Sequence, residues 1–189
     1  MTHSASNPDS EIFNNYGAKP NSELLLGYGF TLPANPDDTI VLKIGGTRDT
    51  TAATNDKAAA AAADARVRYE VGRGARGAAA VWGAIVDAVK GEEGEDSEAP
   101  EWQIVLDSAD MLRSMTKSLL GRLPQANRVV PGTLRGGVVE MIDHYVSGQR
   151  EVLQDLLQYA NDREMGGVAV AQQEGIVIQL DGSDDDLSK

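Results

Sequence analysis

The residues best suited to chemistry in this chain are few. Two tyrosines sit beside glycines, in Asn14-Asn15-Tyr16-Gly17 and in Gly27-Tyr28-Gly29-Phe30. A phenol in such a turn can pack an apolar stem with its ring and orient a polar group with its hydroxyl, although tyrosine is commonly a part-buried packing residue. Gly72-Arg-Gly-Ala-Arg-Gly77 is a literal G-x-G-x-x-G, the pattern of a dinucleotide-binding turn. His144 follows Glu140 at helical spacing, which allows a metal pair or a plain helix-surface contact; no third or fourth ligand accompanies it. The other histidine, His3, lies in a polar start. Cysteine is absent, which excludes disulfides, thiolate metal sites and cysteine nucleophiles. Two histidines so placed support no nucleophilic triad.

The elements that must position these residues follow from periodicity and punctuation. Residues 11–15 read as a short strand, and Asn21 as the cap of a short helix through Leu24, Leu25 and Leu26. Gly27 and Gly29 permit the turn that ends this helix. Thr39 to Ile44 alternates apolar and polar residues, which predicts a strand, and residues 67–71 predict another. Residues 78–89 form a helix with Val81, Trp82, Ile85 and Val89 on one side. Between the strands, residues 45–65 read as an insertion: six consecutive alanines favour helix but offer no bulky stripe to bury.

Residues 102–106 open the next ordered block, with Asp107 or Ser108 capping a helix that carries Leu112, Met115, Leu119 and Leu123. Pro124 stops it. Thr133 opens the longest helical signal, through Val138, Ile142, Tyr145, Gln149, Val152, Leu156 and Tyr159. Val139, Val146, Leu153 and Ala160 widen that stripe to the breadth of a domain core. Gly166 and Gly167 are expected to kink or break this helix before a further stretch to Gln173, and residues 176–180 form a short terminal segment.

The charge is concentrated. Residues 92–101 hold six acids and no base, and residues 181–189 hold four acids and one base, so these two stretches carry nine of the twelve net negative charges. Both read as solvated linker and tail. No basic stripe is present, which disfavours nucleic-acid binding. No apolar run reaches the roughly 18 residues of a membrane span, and the amino terminus has no signal-peptide core. A soluble, intracellular protein, cytoplasmic or nuclear, is expected.

Glu11 to Phe30, EIFNNYGAKPNSELLLGYGF, resembles the end of the SET domain in the Rubisco large-subunit methyltransferase family of protein-lysine methyltransferases. There a strand ends in a tyrosine-glycine turn, followed by a leucine-rich helix and a second tyrosine in a YGF turn. Downstream, residues 139–157 and Gln173-Glu-Gly-Ile are similar to that family's helical substrate-binding domain. The resemblance implies S-adenosylmethionine as cofactor and a protein bearing the target lysine as partner. It makes Tyr16 the catalytic tyrosine, Tyr28 a second wall of the lysine channel and Phe30 a neighbour of the cofactor. Methyl transfer needs a neutral amine, and removing a proton from a lysine of pKa about 10.4 costs about 4 to 5 kcal/mol at pH 7. An apolar channel lowers that cost by disfavouring the ammonium.

The expected architecture is mainly α, with a few short strands. Residues 1–10 would be disordered, 11–36 a SET-domain remnant, and 37–180 a helical module with flexible insertions at 45–65 and 91–100. Residues 181–189 would be a disordered acidic tail. The family's upstream glycine loop and asparagine-histidine segment have no counterpart in this sequence. The chain alone is therefore expected to bind no cofactor and to be inactive, with the remnant poorly anchored for want of its sheet. A non-catalytic helical interaction module is the alternative, and dinucleotide binding through Gly72, Gly74 and Gly77 a weaker one.

Overall fold

A computed structural model describes residues 7, 17–44, 67–93, 99–125 and 135–178. Tyr16, the strand expected at 11–15, the insertion at 45–65, Thr133 and the acidic tail lie outside the described residues. Four helices and one hairpin-like pair of strands make up the rest, as the mainly α expectation has it: α1 (Asn21–Tyr28), β1 (Thr39–Ile44), β2 (Val67–Gly72), α2 (Ala78–Glu93), α3 (Glu101–Arg122) and α4 (Gly136–Gln173). A single 3-10 turn, Arg73–Ala75, joins β2 to α2. Among the described residues, no helix is long and apolar enough to cross a membrane.

The strands pair antiparallel, with Ile40 opposite Val71 and Leu42 opposite Tyr69. The alternation of β1 is expressed as burial: Ile40, Leu42 and Ile44 point into the core, while Val41 faces out. Val81, Ile85 and Val89 of α2 close over that face, and Leu112 of α3 meets them with Val152, Leu153, Leu156 and Ala160 of α4. Each fully buried side chain of this kind contributes about 1.5–3 kcal/mol of transfer free energy.

Helices α3 and α4 run antiparallel: Val105 and Leu106 meet Gly167, Arg113 meets Asn161 and Glu164, and Arg150 donates to the Pro124 carbonyl. Arg113 is mostly buried in this seam, and its hydrogen bond and ion pair to Glu164 hold its pKa above the ordinary value, outweighing desolvation. The Arg163 guanidinium lies 5.3 Å from the Trp82 ring centre and 5.0 Å from that of Tyr159, tying α4 to α2.

Several local expectations need correction. Residues 102–106 are not a separate block, and neither Asp107 nor Ser108 caps a helix. One helix begins after Pro100 and runs through both. Ser108 is fully buried within the apolar stripe, so a polar residue on the inner face disguised the continuity. Residues 91–93, expected to begin a flexible insertion, continue α2, and Glu101 begins α3. Gly166 and Gly167 neither kink nor break α4. A Cβ on Gly167 would lie 2.9 Å from Val105 Cγ1, so this glycine marks a close helix approach. The helix ends after Gln173, where Gly175 (φ +80°) allows Ile176 N–H to reach the Ala171 carbonyl and Gly175 N–H the Gln172 carbonyl.

Candidate functional site

The candidate site is the turn around Tyr28 and the helix that carries it. Pro20, in extended conformation (φ −67°, ψ 157°), precedes α1, and Lys19 pairs with Glu23 one turn on at 2.7 Å. That hydrogen bond and charge raise the Lys19 pKa above its ordinary value. Gly29 in the left-handed region (φ +74°) ends the helix, its N–H bonded to the Leu25 carbonyl. Gly27 lies inside the helix, so Gly29 alone makes the expected turn.

The two faces of α1 differ sharply. Leu24 is buried, whereas Leu26 is 89% and Tyr28 48% exposed. Lys19, Ser22, Glu23, Leu26, Gly27 and Tyr28 line an open groove of about 540 Å³. The Phe30 ring centre lies 6.3 Å from that of Tyr28, the planes tilted by 52°. Two of the three sequence-predicted site residues, Tyr28 and Phe30, are thus brought together, and Tyr16 falls outside the described residues. Leu26 and the Tyr28 ring, beside the polar Lys19, Ser22 and Glu23, offer an open surface along which an extended aliphatic side chain can lie; enclosing a cofactor takes further walls.

Asn21 does not cap α1; it is the first helical residue, and its side chain works elsewhere. Its amide oxygen accepts from Leu32 N–H at 2.8 Å and its nitrogen donates to the Leu32 carbonyl at 2.9 Å, fixing the turn beyond Tyr28. The Asn21 backbone N–H and side-chain nitrogen also donate to the Asp38 carboxylate, at 2.8 and 3.1 Å. Asp38 is fully buried, with Arg73 Nη2 at 3.7 Å. Burial pushes its carboxyl above the usual range, against the pull of Asn21 and Arg73. Arg73 donates through Nε to the Asn35 carbonyl at 2.6 Å and pairs with Glu151 of α4. Thr31 and His144 Nδ1, 3.1 Å apart, make a second tie to α4. The described part of the tyrosine segment is therefore anchored, and the expectation of a weakly held remnant is overturned. A buried polar network replaces the sheet. No local pattern marked Asp38 or Arg73: Asp38 is held by Asn21, 17 residues before it, and Arg73 by Asn35 and Glu151, 38 residues before and 78 after it.

The G-x-G-x-x-G pattern is put to another use. Its strand pairs antiparallel with β1, unlike the parallel sheet of a dinucleotide fold, and Gly74 N–H donates to Asp155 Oδ2 at 2.6 Å. A carboxylate of the protein itself occupies the donor that a phosphate would need. Gly77 (φ +88°) is required because a Cβ there would meet the Glu70 carbonyl oxygen at 2.3 Å. His144 is engaged by Thr31 rather than paired with Glu140 around a metal, and no group of three or more candidate metal ligands occurs among the described residues.

Comparison with known proteins gives a short similarity to a lysine methyltransferase. A 35-residue stretch is 63% identical to the ribosomal lysine N-methyltransferase set10 of Schizosaccharomyces pombe. That stretch is 18% of this chain and 6% of the yeast protein, so the chain matches only a small part of its relative's length. No protein-family model matches the chain. The match supports a lysine-methyltransferase-related origin.

Proposed function

We propose that this chain carries the closing segment of the SET domain of an S-adenosylmethionine-dependent protein-lysine N-methyltransferase, followed by a helical substrate-binding module of the Rubisco large-subunit methyltransferase type. The observation that carries the reading is the 63% identity over 35 residues to a lysine methyltransferase, in a chain that presents Tyr28 half-exposed beside Leu26 in an open groove. In this reading Tyr16 and Tyr28 wall the passage for the substrate lysine. The rings would pack its methylene stem and the hydroxyls would orient its amine.

S-adenosylmethionine would supply the methyl group. Phe30 has the Tyr28 ring beside it but does not line the open groove, and neither feature encloses such a cofactor, so no step is derived through it. The proposal places the cofactor loops outside these 189 residues and makes the chain inactive by itself. The protein would work inside the cell on a lysine-bearing protein, with ribosomal proteins the first class to test.

Calorimetry of the 189-residue chain with S-adenosylmethionine should give no binding heat; clear micromolar binding would overturn the incompleteness. A chimaera supplying the upstream part of the yeast relative should bind the cofactor and methylate ribosomal protein. Changing Tyr28 to Ala should lower its rate at least about tenfold, roughly the scale of a lost positioning contact. An unchanged rate would remove Tyr28 from the lysine passage.

A further inference from the structure

We infer that Arg73 is the positioning residue that sets the tyrosine turn against the helical body. This rests on the reading of Tyr28 above for its meaning, but not for its test. Residues 19–38 form a closed unit through their own hydrogen bonds: Asn21 holds Leu32 and Asp38, and Asn35 Nδ2 donates to the Lys19 carbonyl at 2.8 Å. Where this unit sits depends on its ties to α4 and to the 3-10 turn that follows β2.

At one end the Arg73 fork hydrogen-bonds two distant parts of the chain, the Asn35 carbonyl through Nε and Glu151 of α4 through Nη1, while its buried Nη2 lies 3.7 Å from the Asp38 carboxylate, an ion pair without a hydrogen bond. Arg73 is held in turn by its neighbour, since Gly74 N–H is anchored on Asp155. At the other end lie the neutral contacts of Thr31 with His144 and of Gln149 Nε2 with the Thr39 carbonyl, 3.0 Å. A planar guanidinium can serve several acceptors at fixed angles, whereas a lysine ammonium at the same place is a point charge on a flexible stem. The arrangement therefore makes the guanidinium shape, and not the positive charge alone, the determinant of where Tyr28 stands relative to α4.

Hydrogen exchange measured by mass spectrometry on the 189-residue chain tests this without any cofactor. In Arg73→Gln, exchange of amides 21–28 should rise at least about tenfold while amides 152–160 of α4 stay unchanged, because local opening is read separately from global unfolding. Arg73→Lys should show most of that rise, since the charge returns without the fork. Thr31→Val should show less than about a threefold rise at the same amides. Full protection of 21–28 in Arg73→Gln, or full rescue by lysine, would overturn the assignment. So would an equal rise throughout the chain, or loss of folding in both Arg73 variants, since each makes Arg73 a general stability residue. Failure here leaves the calorimetric and chimaera results intact, so the two readings can fall separately.

Discussion

Gly148 of α4 faces Asp38 so closely that a Cβ on the glycine would lie 2.0 Å from Asp38 Oδ2. The helix can approach the buried carboxylate only because position 148 has no side chain. Gly148→Ala must displace an acid already committed to Asn21 and Arg73, so repacking is costly. A loss of about 2–3 kcal/mol is expected from overpacking together with damage to the polar network. In a thermal melt this is a fall of roughly 4–12 °C for a protein of this size. An unchanged melting temperature would show that Asp38 can move aside.

The adjacent glycines of α4 should respond in opposite directions. A Cβ at Gly166 meets nothing within 4 Å, and alanine there should add about 0.5–1 kcal/mol through helix propensity. At Gly167 the new methyl would press on Val105 and Leu106, and a loss of about 1–3 kcal/mol is expected. Chemical denaturation of the two variants gives the comparison. Equal effects would mean that the α3–α4 contact is looser than described.

Asp38 should make stability depend on pH in the direction opposite to an ordinary salt-bridged acid. Burial raises its folded pKa, and Glu151 adds to the rise, while Asn21 and Arg73 oppose it. The folded state therefore holds this proton more readily than the unfolded chain. Its contribution is fully present below the unfolded value of about 3.9 and is lost as pH rises through the folded value. The stability of the native chain minus that of Asp38→Asn should thus decline across that window. Carbon NMR titration of the Asp38 carboxyl should also show its midpoint rising further in Arg73→Gln. A midpoint that stays put would mean that the guanidinium exerts no pull on the acid.

The two faces of α1 should separate stability from surface. Leu24→Ala removes a buried side chain and should cost about 2–5 kcal/mol. Tyr28→Ala, at a half-exposed ring, should change stability by less than about 1 kcal/mol. Denaturant midpoints decide it. A large loss for Tyr28 would make that ring a packing residue and weaken its proposed place beside a substrate lysine.

Local order was legible where one residue's neighbours along the chain carry the signal. Alternation in Thr39–Ile44 marked β1 correctly, the Val81, Ile85 and Val89 stripe marked α2, and Gly29 marked the end of α1. Pro124 marked the end of α3 within two residues. The tyrosine turn, too, was visible as a motif, and its Tyr28 and Phe30 lie together.

Tertiary structure alone decided the rest. Ser108 broke the apolar pattern of α3 although it is fully buried, and Gly167 mimicked a helix breaker because another helix needs its space. Asn21 has the composition of a cap, yet its side chain serves Leu32 and Asp38. Arg73 belonged to a glycine motif and turned out to hold Asn35 and Glu151, which lie 38 residues before it and 78 after it. Periodicity reports which face of an element is apolar, because that depends on residues three or four apart. It carries no information about which distant partner satisfies a buried polar group, since that is settled only when the chain closes on itself.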